Sequence, residues 1–505
     1  MERKKALLLN STTSLLQQVV ALLCGLIVPK LIMSTYGSSV NGTIASVVQF
    51  ISIASLIQGG VAGAARVAFY GPVSCQESEK TSEVYKTSQV FFRKFGLFLL
   101  AYVVILALIY PIVFSTPFSY SDCIFLVVII GSSTMFEYLF GMTNQLLLFA
   151  DQRSYINTLL QTICTIISAL FSVWLIMIGA SIIVVKFISA LVLIIRPIFL
   201  VIYVHRHYSL DLSIPSNKKI LSQSGAALAK SIAFFIHTST DTLVITACLN
   251  VAWVSVYAVH RYVVGSISNL LASILGNTEA MFGQMIAKKE TESIEKEVPI
   301  YDLLSKILSS IFFFTSIILI SQFVDIYTKG ISDINYNQPV FAILLCISEM
   351  IYCMSLTYNN MIMAAGHIKQ TQWISITEAL LNIVLSVIFV RLWGIIGVAI
   401  GTLIACIFNT IANIIYMRRY IFAMKLRYII KGYFVNIGGG IITVFLFRYV
   451  IIYQANNFIT FFVYAAIVFI VVAIVDFIAN ILAFRDEIYP LLNKLKDRLI
   501  KKHNI

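Results

Sequence analysis

Residues 223 to 241 combine an apolar composition with ionisable side chains at helical spacing. Gln223, Lys230, His237 and Asp241 follow one another at intervals of seven, seven and four residues, which places them on one face of a helix. An amine, an imidazole and a carboxylate on one face can bind an anionic group, bind hydroxyls or exchange a proton. Because an ionisable group inside a membrane costs about 2.5–3.5 kcal/mol, such groups normally face protein or water. We predict that this face lines a hydrated cavity.

A similar polar face occurs near the N-terminus, where Asn10, Ser14 and Gln17 share one side of a helix. Two matching polar faces suggest the walls of one hydrated cavity. We therefore assign Asn10 and Gln17 to the same cavity.

Asp241 and Arg261 lie about ten residues before and after a turn near Val251, so in an antiparallel hairpin both sit roughly 15 Å below the outer surface. We predict that they pair or share a hydrogen-bond network. Two interpretations stay open. The pair orients two helices only, or Arg261 contacts substrate while Asp241 tunes it.

A single arginine, Arg66, interrupts the run of small residues GGVAGAARVAFYGP at positions 59 to 72. Gly and Ala allow neighbouring helix backbones to approach closely. In an internal alignment described below, Arg66 falls opposite Glu279. We predict a gate formed by Arg66 and Glu279, and the alternative is that Arg66 snorkels to the cytoplasmic interface.

Other carboxylates and cations inside apolar segments suggest further roles. Glu137 and Glu349 begin similar stretches in two distant segments, and with Asp241 they are the candidates for coupling to an ion, Na⁺ or H⁺. Lys186 and Arg196 add positive charge near the middle of the chain. Whether these two groups bind substrate or are satisfied buried groups is open.

Motifs for soluble catalysis are missing from the sequence. It contains no Gly-Lys dipeptide and hence no P-loop, and no G-x-S-x-G, H-E-x-x-H or EF-hand pattern. The eight cysteines form no C-x-x-C pair and have no nearby histidine at metal spacing. We expect no catalytic residue, no metal site, no cofactor and no enzymatic activity.

The composition places these residues in a lipid bilayer. Of the 505 residues, 59% are hydrophobic and 12% charged, whereas soluble domains carry about 25% charged residues. Segment lengths predict about fourteen membrane-spanning helices. Their approximate limits are 6–34, 40–70, 90–115, 121–150, 154–178, 181–205, 221–249, 252–287, 299–327, 338–365, 371–391, 394–417, 426–450 and 457–484.

The basic residues are unevenly distributed between the two sides that this arrangement defines. Clusters such as Arg3–Lys5, Arg418–Arg419 and the tail after residue 484 share one side, and the other has only about three basic residues, including Lys329 and Arg391. This predicts that both termini are cytoplasmic. The net charge of +13 is then a topology signal, and we expect no nucleic-acid binding.

The chain aligns weakly with itself when Gly37 is placed opposite Asn250. The same shift sets Arg66 against Glu279, and the order of features agrees over about 200 residues. We predict two pseudo-symmetric six-helix lobes of the same orientation with a cavity between them. The domains are residues 1–210, the N-terminal lobe; 211–423, the C-terminal lobe; and 424–505, two further helices with a basic cytoplasmic tail.

Several short motifs resemble a known family. These motifs are Asn10, Pro29, Tyr36-Gly37, Asn41-Gly42, Gly59-Gly60 and Ala64-Ala65-Arg66, with TDTLVITACLNVAWVSVYAVHR in the second half. Together they resemble the polysaccharide transporter (Wzx-type flippase) family of the multidrug/oligosaccharidyl-lipid/polysaccharide exporter superfamily. The resemblance implies an all-α fold with two lobes in a V shape. It also implies transfer of an undecaprenyl-pyrophosphate-linked oligosaccharide across the bacterial inner membrane by alternating access, for O-antigen, capsule or exopolysaccharide synthesis.

In that interpretation some of Arg66, Lys230 and Arg261 bind the pyrophosphate. The implied partners are the lipid-linked substrate, membrane lipids, and a polysaccharide polymerase with its chain-length machinery, and the expected state is a monomer. Three alternatives stay open. A multidrug or small-molecule exporter of the same superfamily would have an apolar, acidic cavity. A lipid II flippase would match the helix count, and a polymerase would need a large outer loop.

Overall fold

The computed structural model describes residues 3–54, 56–217, 239–275, 278–451 and 453–485. Within these residues the regular structure is entirely helical, as predicted. Many long apolar side chains, such as Leu15, Ile112 and Leu482, are exposed on the surfaces of helices. Exposed apolar faces on long helices are those that contact lipid in a membrane protein.

Eighteen helices, numbered in chain order, cover most of the described residues. They are α1 (Arg3–Tyr36), α2 (Ser38–Ala54), α3 (Leu56–Ser74), α4 (Ser78–Val113), α5 (Tyr120–Phe136), α6 (Met142–Ala150), α7 (Ser154–Met177), α8 (Ile182–His207), α9 (described over 239–248), α10 (Val251–Leu275), α11 (Thr278–Ala287), α12 (Thr291–Tyr327), α13 (Pro339–Met354), α14 (Leu356–Ala364), α15 (Ile368–Trp393), α16 (Ile395–Tyr420), α17 (Leu426–Tyr449) and α18 (Phe458–Ala483).

Eleven helical segments of the described chain are long and apolar enough to cross a membrane, and each corresponds to one of the predicted spans. The other three predicted spans are 40–70, 221–249 and 252–287. Span 40–70 is described as α2 and α3, with position 55 between them outside the described residues. Span 252–287 is described as α10 and α11, with positions 276–277 between them outside the described residues. Of span 221–249, the structure describes only residues 239–249. The total of fourteen stays a prediction.

Two helices begin earlier than predicted. α4 starts at Ser78 and α12 at Thr291, whereas hydropathy places the starts near 90 and 299. Both helices open with polar turns such as SEKTSEVYK. Hydropathy marks where a helix meets lipid, and the hydrogen-bonded backbone continues beyond that point into water.

By the density of internal contacts the chain divides into two compact units. The first comprises residues 1–258 and 330–334, and the second 259–329 and 335–505. The predicted division at residues 210 and 423 stays a prediction.

In the first unit, two buried tyrosines hold α4 in place. The Tyr110 hydroxyl donates to Ser46 Oγ of α2 at 2.8 Å, and the Tyr85 hydroxyl donates to Asn144 Oδ1 of α6 at 2.8 Å. Both tyrosines are at most 1% exposed. These two bonds satisfy buried hydroxyls and fix α4 against α2 and α6.

The sharp turn between α1 and α2 depends on Gly37, whose φ is +90°, a value that glycine adopts without a steric penalty. Asp333, from the 330–334 segment of the same unit, accepts from Ser38 N and Ser38 Oγ at 2.6 Å each. A carboxylate at a helix N-terminus binds the free N–H groups there and complements the helix dipole. The predicted turn at Gly37 is therefore closed by a distant acidic residue.

In the second unit, α15 and α16 form a close hairpin around Gly394, whose φ is +57°. A Cβ atom on Gly397 would lie 2.0 Å from Phe389 O, and one on Gly401 would lie 2.5 Å from Ser386 Oγ. Glycine is therefore required for the two backbones to approach this closely. α12 packs against α13, α17 and α18 in the same unit.

We expect Gly440→Ala to destabilise the second unit, because a Cβ at this position of α17 would lie 2.0 Å from the ring of buried Phe314. Overpacking of this kind costs about 1–3 kcal/mol. Gly438→Ala is the matched control two residues away, where nothing lies within 4 Å. Thermal unfolding in detergent should show a lower Tm for G440A only. Equal Tm values for the two variants would contradict the described packing of α12 on α17.

Candidate functional site

A cavity of about 590 Å³ lies within the first unit, between α1, α2, α5, α7 and α8. Its lining is rich in hydroxyl groups. Those on α5, α7 and α8 are Ser133, Thr134, Thr165, Ser168, Ser172 and Ser189. Hydroxyls both donate and accept hydrogen bonds, so this surface can bind the hydroxyl or phosphoryl oxygens of a polar molecule.

Lys186 of α8 is the one charged residue in this lining. Among the ion pairs found in the described residues, none includes Lys186. An ammonium group in a membrane-spanning helix normally pairs with an acid or faces water. Among the described residues Lys186 faces a cavity and pairs with no acid, which makes it available to an anionic ligand.

A second cavity of about 280 Å³ shares Ser133, Thr134, Thr165 and Leu193 with the first and continues its lining along α8. Here Arg196 Nη2 lies 2.5 Å from Glu137 Oε2, and each side chain is 17% exposed. Lys186, Leu193 and Arg196 are spaced by seven and three residues, so one face of α8 presents both cations. The salt bridge neutralises Arg196, and within the described part of the chain it leaves Lys186 uncompensated.

Glu137 is positioned by a π-helical turn, Glu137–Gly141, between α5 and α6. A Cβ atom on Gly141 would lie 2.6 Å from Glu137 Oε1, so glycine makes room for the carboxylate. Gln145 Nε2 also donates to Glu137 Oε1. Single π turns inside helices are frequent at functional sites, and this one orients Glu137 towards Arg196 and Gln145.

A third cavity of about 410 Å³ lies between α3, α6 and α7 and contains Arg66. The Arg66 guanidinium lies over the Phe149 ring, with Cζ 4.1 Å from the centroid, a cation–π contact. Within the described residues, Arg66 Nε and Asn157 Oδ1 are buried without a hydrogen-bond partner. Both residues line this cavity, so it has polar atoms to which no described residue bonds.

Gln145 connects the last two cavities, because it lines the third and donates to Glu137, which lines the second. Across the three linings the charged side chains are Lys186, Arg196, Arg66 and Glu137. Three cations thus face one carboxylate. This part of the first unit is a net cationic, hydroxyl-rich region inside a set of apolar helices.

Two predicted site residues on α1 have other surroundings. Asn10 Nδ2 donates to Gln152 O at 2.9 Å, and Asn10 Oδ1 accepts from Tyr155 N at 2.8 Å. Asn10 thereby joins α1 to the turn between α6 and α7. Gln17 is half-buried. Neither residue lines the three cavities, and their contact with substrate stays a prediction.

Arg261 and Glu349, both of the second unit, form a salt bridge between Nη1 and Oε1. Glu349 Oε2 also accepts from Ser268 Oγ at 2.6 Å. Asp241, in the first unit, is 3% exposed and accepts from the Tyr257 hydroxyl at 3.2 Å. The two predicted ion-coupling residues Glu137 and Glu349 thus each pair with an arginine, and an ion would have to displace that partner.

The contacts predicted for six site residues stay predictions. Asp241 and Arg261 belong to different units, as do Arg66 and Glu279, so the predicted pair and the predicted gate stay predictions. Lys230 and His237 lie outside the described residues, and the predicted cavity between the lobes is likewise untested.

The sequence alone leaves open whether Lys186 and Arg196 bind substrate, and it does not assign them to the cavities of the first unit. The signal that could have found them is the spacing Lys186, Ser189, Leu193, Arg196 on α8, which is one helix face. The hydroxyls of α7, Thr165, Ser168 and Ser172, follow the same kind of spacing. Two polar faces on consecutive helices predict a shared cavity when the helices pack, as α7 and α8 do.

Comparison with known proteins gives likeness at the level of structure only. No family model matches the chain, and no curated protein matches it. A solved structure of the lipid II flippase MurJ in an inward closed conformation is similar with a TM-score of 0.70 at 15% identity, over 95% of this chain and 99% of that one.

Two multidrug transporters of the MATE family are also similar. One, DinF-BH, was solved as a complex and has a TM-score of 0.62 at 15% identity over 84% of this chain and 98% of its own. The other, in an inward-facing conformation and assigned to the MOP superfamily, has a TM-score of 0.59 at 14% identity over 81% of this chain and 95% of its own. The chain is therefore a multi-pass, all-helical membrane protein with the fold of these transporter structures.

Proposed function

We propose that this chain is a flippase of the MOP superfamily, of the Wzx type, which moves an undecaprenyl-pyrophosphate-linked oligosaccharide across the bacterial plasma membrane for surface polysaccharide synthesis. The observation that carries the proposal is the cationic, hydroxyl-rich region of the first unit. Lys186 has no acidic partner among the described residues and faces a 590 Å³ cavity, as a group that binds the pyrophosphate would. The hydroxyls around it suit phosphoryl and sugar oxygens.

The charge balance favours this substrate class over a cationic drug. A drug-exporting cavity of the same fold would be apolar and acidic, because a cationic drug needs negative charge. The described linings instead have Lys186, Arg196 and Arg66 against Glu137 alone. The fold itself is found in both kinds of transporter, so the charge of the cavity is the discriminating feature.

The proposed mechanism is alternating access without covalent chemistry. The pyrophosphate binds near Lys186, and Arg66 lies in the neighbouring cavity with an unused Nε donor. Both termini are proposed to be cytoplasmic, because the predicted cytoplasmic loops contain most of the basic residues. Polysaccharide polymerase and chain-length machinery are proposed partners, since they would use the translocated repeat unit.

Deletion of the gene, followed by analysis of lipid-linked glycans, tests the proposal. We expect the repeat-unit lipid to accumulate in the cytoplasmic leaflet, with loss of surface polysaccharide and recovery on complementation. Unchanged surface polysaccharide with loss of drug resistance would indicate an exporter of small molecules. Accumulation of the peptidoglycan precursor instead would indicate a lipid II flippase.

A further inference from the structure

A row of buried polar residues in the second unit has no part in the proposed substrate site. It runs along the contact of α12 with α17 and α18, which we call the polar seam. Its members are Asp302, Lys306 and Ser310 on α12, Asn436 on α17, and Asp476 and Asn480 on α18. Each of these side chains is at most 1% exposed. The spacing of four along α12 puts its three residues on one face.

The first part of the polar seam is electrically balanced. Lys306 Nζ forms a salt bridge with Asp302, donates to the Tyr358 hydroxyl at 2.9 Å, and lies 4.8 Å from the centroid of the Tyr433 ring. A buried ammonium thus has a buried carboxylate as its partner, which is how a protein normally accommodates such charges.

The second part has a carboxylate that forms no ion pair among the described residues. Asp476 Oδ1 lies 3.0 Å from Ser310 Oγ, and Oδ2 lies 3.5 Å from Asn480 Nδ2. The Asn480 amide is engaged with Asn436 Oδ1 at 3.0 Å and with Asp476 O at 2.8 Å. All of these partners are neutral. A buried negative charge with only neutral partners requires a bound positive charge.

The hydrogen bonds of Ser310 indicate which positive charge this is. Ser310 Oγ lies 3.1 Å from Asn436 O and 3.0 Å from Asp476 Oδ1. A serine hydroxyl has one proton to donate, and the backbone carbonyl of Asn436 can only accept. The single hydroxyl proton can point to Asn436 O or to Asp476 Oδ1. With a proton on Asp476, Ser310 donates to Asn436 O and accepts from Asp476 Oδ1, so both contacts become hydrogen bonds.

The packing agrees with a proton better than with a metal ion. Asp476 Oδ1 is in hydrogen-bond contact with α12, and a Cβ atom on Gly439 of α17 would lie 3.4 Å from the same oxygen. A sodium ion needs several oxygen ligands around it and space to sit between them, whereas a proton occupies a hydrogen bond. The carboxyl group is thus held directly between two helices.

We propose that Asp476 is a proton-binding site built by α12, α17 and α18. In this site the protonated carboxyl group of Asp476 donates a hydrogen bond to Ser310 Oγ. Release of the proton leaves a buried carboxylate whose described partners are all neutral, which weakens the packing of α18 on α12. The packing of the α17–α18 pair on α12 therefore depends on proton binding. The other charged groups of the polar seam are Lys306, one turn from Ser310 on α12, and Asp302, two turns from it. Titratable Tyr358 and Tyr433 lie beside Lys306.

Infrared difference spectroscopy of the full chain in lipid nanodiscs tests the site. We expect a carbonyl stretching band of a protonated carboxylic acid at neutral pH, which shifts in D₂O and is missing in Asp476→Asn. Asp325→Asn is the matched control: Asp325 is on α12, is exposed, and accepts from Asn337 Nδ2. Its replacement should leave the band intact. Persistence of the band in D476N overturns the proposal.

A second variant and a second measurement keep the test independent of folding. Ser310→Ala removes the hydroxyl that accepts the hydrogen bond from Asp476. We therefore expect the carbonyl stretching band of Asp476 to move in frequency while the protein still unfolds cooperatively. An unchanged band in S310A contradicts the hydrogen bond. Thermal unfolding with and without Na⁺ distinguishes the two cations: a sodium-dependent rise in Tm that D476N loses would overturn the proton site in favour of a metal site.

Discussion

Replacing Lys186 by glutamine is expected to weaken binding of an isoprenyl pyrophosphate by about 10- to 100-fold. The ammonium of Lys186 faces the 590 Å³ cavity and has no acidic partner among the described residues. Loss of a hydrogen bond to a charged group costs about 1.5–3 kcal/mol, and each 1.4 kcal/mol corresponds to a factor of ten in affinity. Equilibrium binding of farnesyl pyrophosphate to the purified protein in detergent measures the effect.

Two further variants make the result specific. Lys186→Arg keeps the charge and should recover a substantial part of the affinity. Lys80→Gln is the matched control in the same unit, because Lys80 is exposed and pairs with Glu77 at 2.8 Å; we expect wild-type affinity from it. Equal affinities of K186Q and the wild-type protein would remove the main support for a pyrophosphate substrate, whatever the deletion phenotype.

Replacing Lys306 by methionine should destabilise the protein by about 3–5 kcal/mol, because it leaves the Asp302 carboxylate buried without its cation. Asp302 Oδ1 has no hydrogen-bond partner among the described residues, and apart from Lys306 the carboxylate is bonded to the neutral Tyr358 hydroxyl. Equilibrium unfolding in mixed micelles measures the difference in free energy. We expect the double variant Asp302→Asn, Lys306→Met to recover most of the loss, since it removes both charges.

Lys288→Met is the control for this prediction. Lys288 lies in the same unit, with Nζ 3.9 Å from Glu290 Oε1, and both side chains are well exposed. Solvent screens such a pair, so we expect little change. A K306M variant as stable as K288M would mean that the Lys306–Asp302 pair contributes little net stability. A double variant no better than K306M would point to lost packing as the cause.

The two lysines illustrate the limit of reasoning from the sequence. Lys186 and Lys306 both interrupt apolar helices, and hydropathy treats them alike. In the structure one faces a cavity and the other is neutralised by Asp302 and bonded to Tyr358. Only the Asp302–Lys306 spacing of four residues, typical of a helical ion pair, is visible in the sequence. Tyr358 lies 52 residues away in the chain.

The same limit applies to the carboxylates. Glu137 and Glu349 stand out in the sequence as charges in apolar segments, but their partners are Arg196 and Arg261, which lie on helices distant in sequence. Glu137 is oriented by a π turn, and Gly141 leaves room for its carboxylate. Neither feature produces a periodic pattern in the sequence. Asp476 is likewise a charge in an apolar segment, but its partner Ser310 lies 166 residues away in the chain, so the sequence does not indicate its role.

Composition and segment length were enough to predict a helical membrane protein and most of its membrane-spanning segments. These properties follow from composition and segment length, because in hydrocarbon the backbone must bond within each helix and apolar side chains must face lipid. Tertiary structure alone decided which buried charges are paired, which face a cavity and which have only neutral partners. Those outcomes depend on side chains from segments far apart in the chain, and they are set only when the helices pack together.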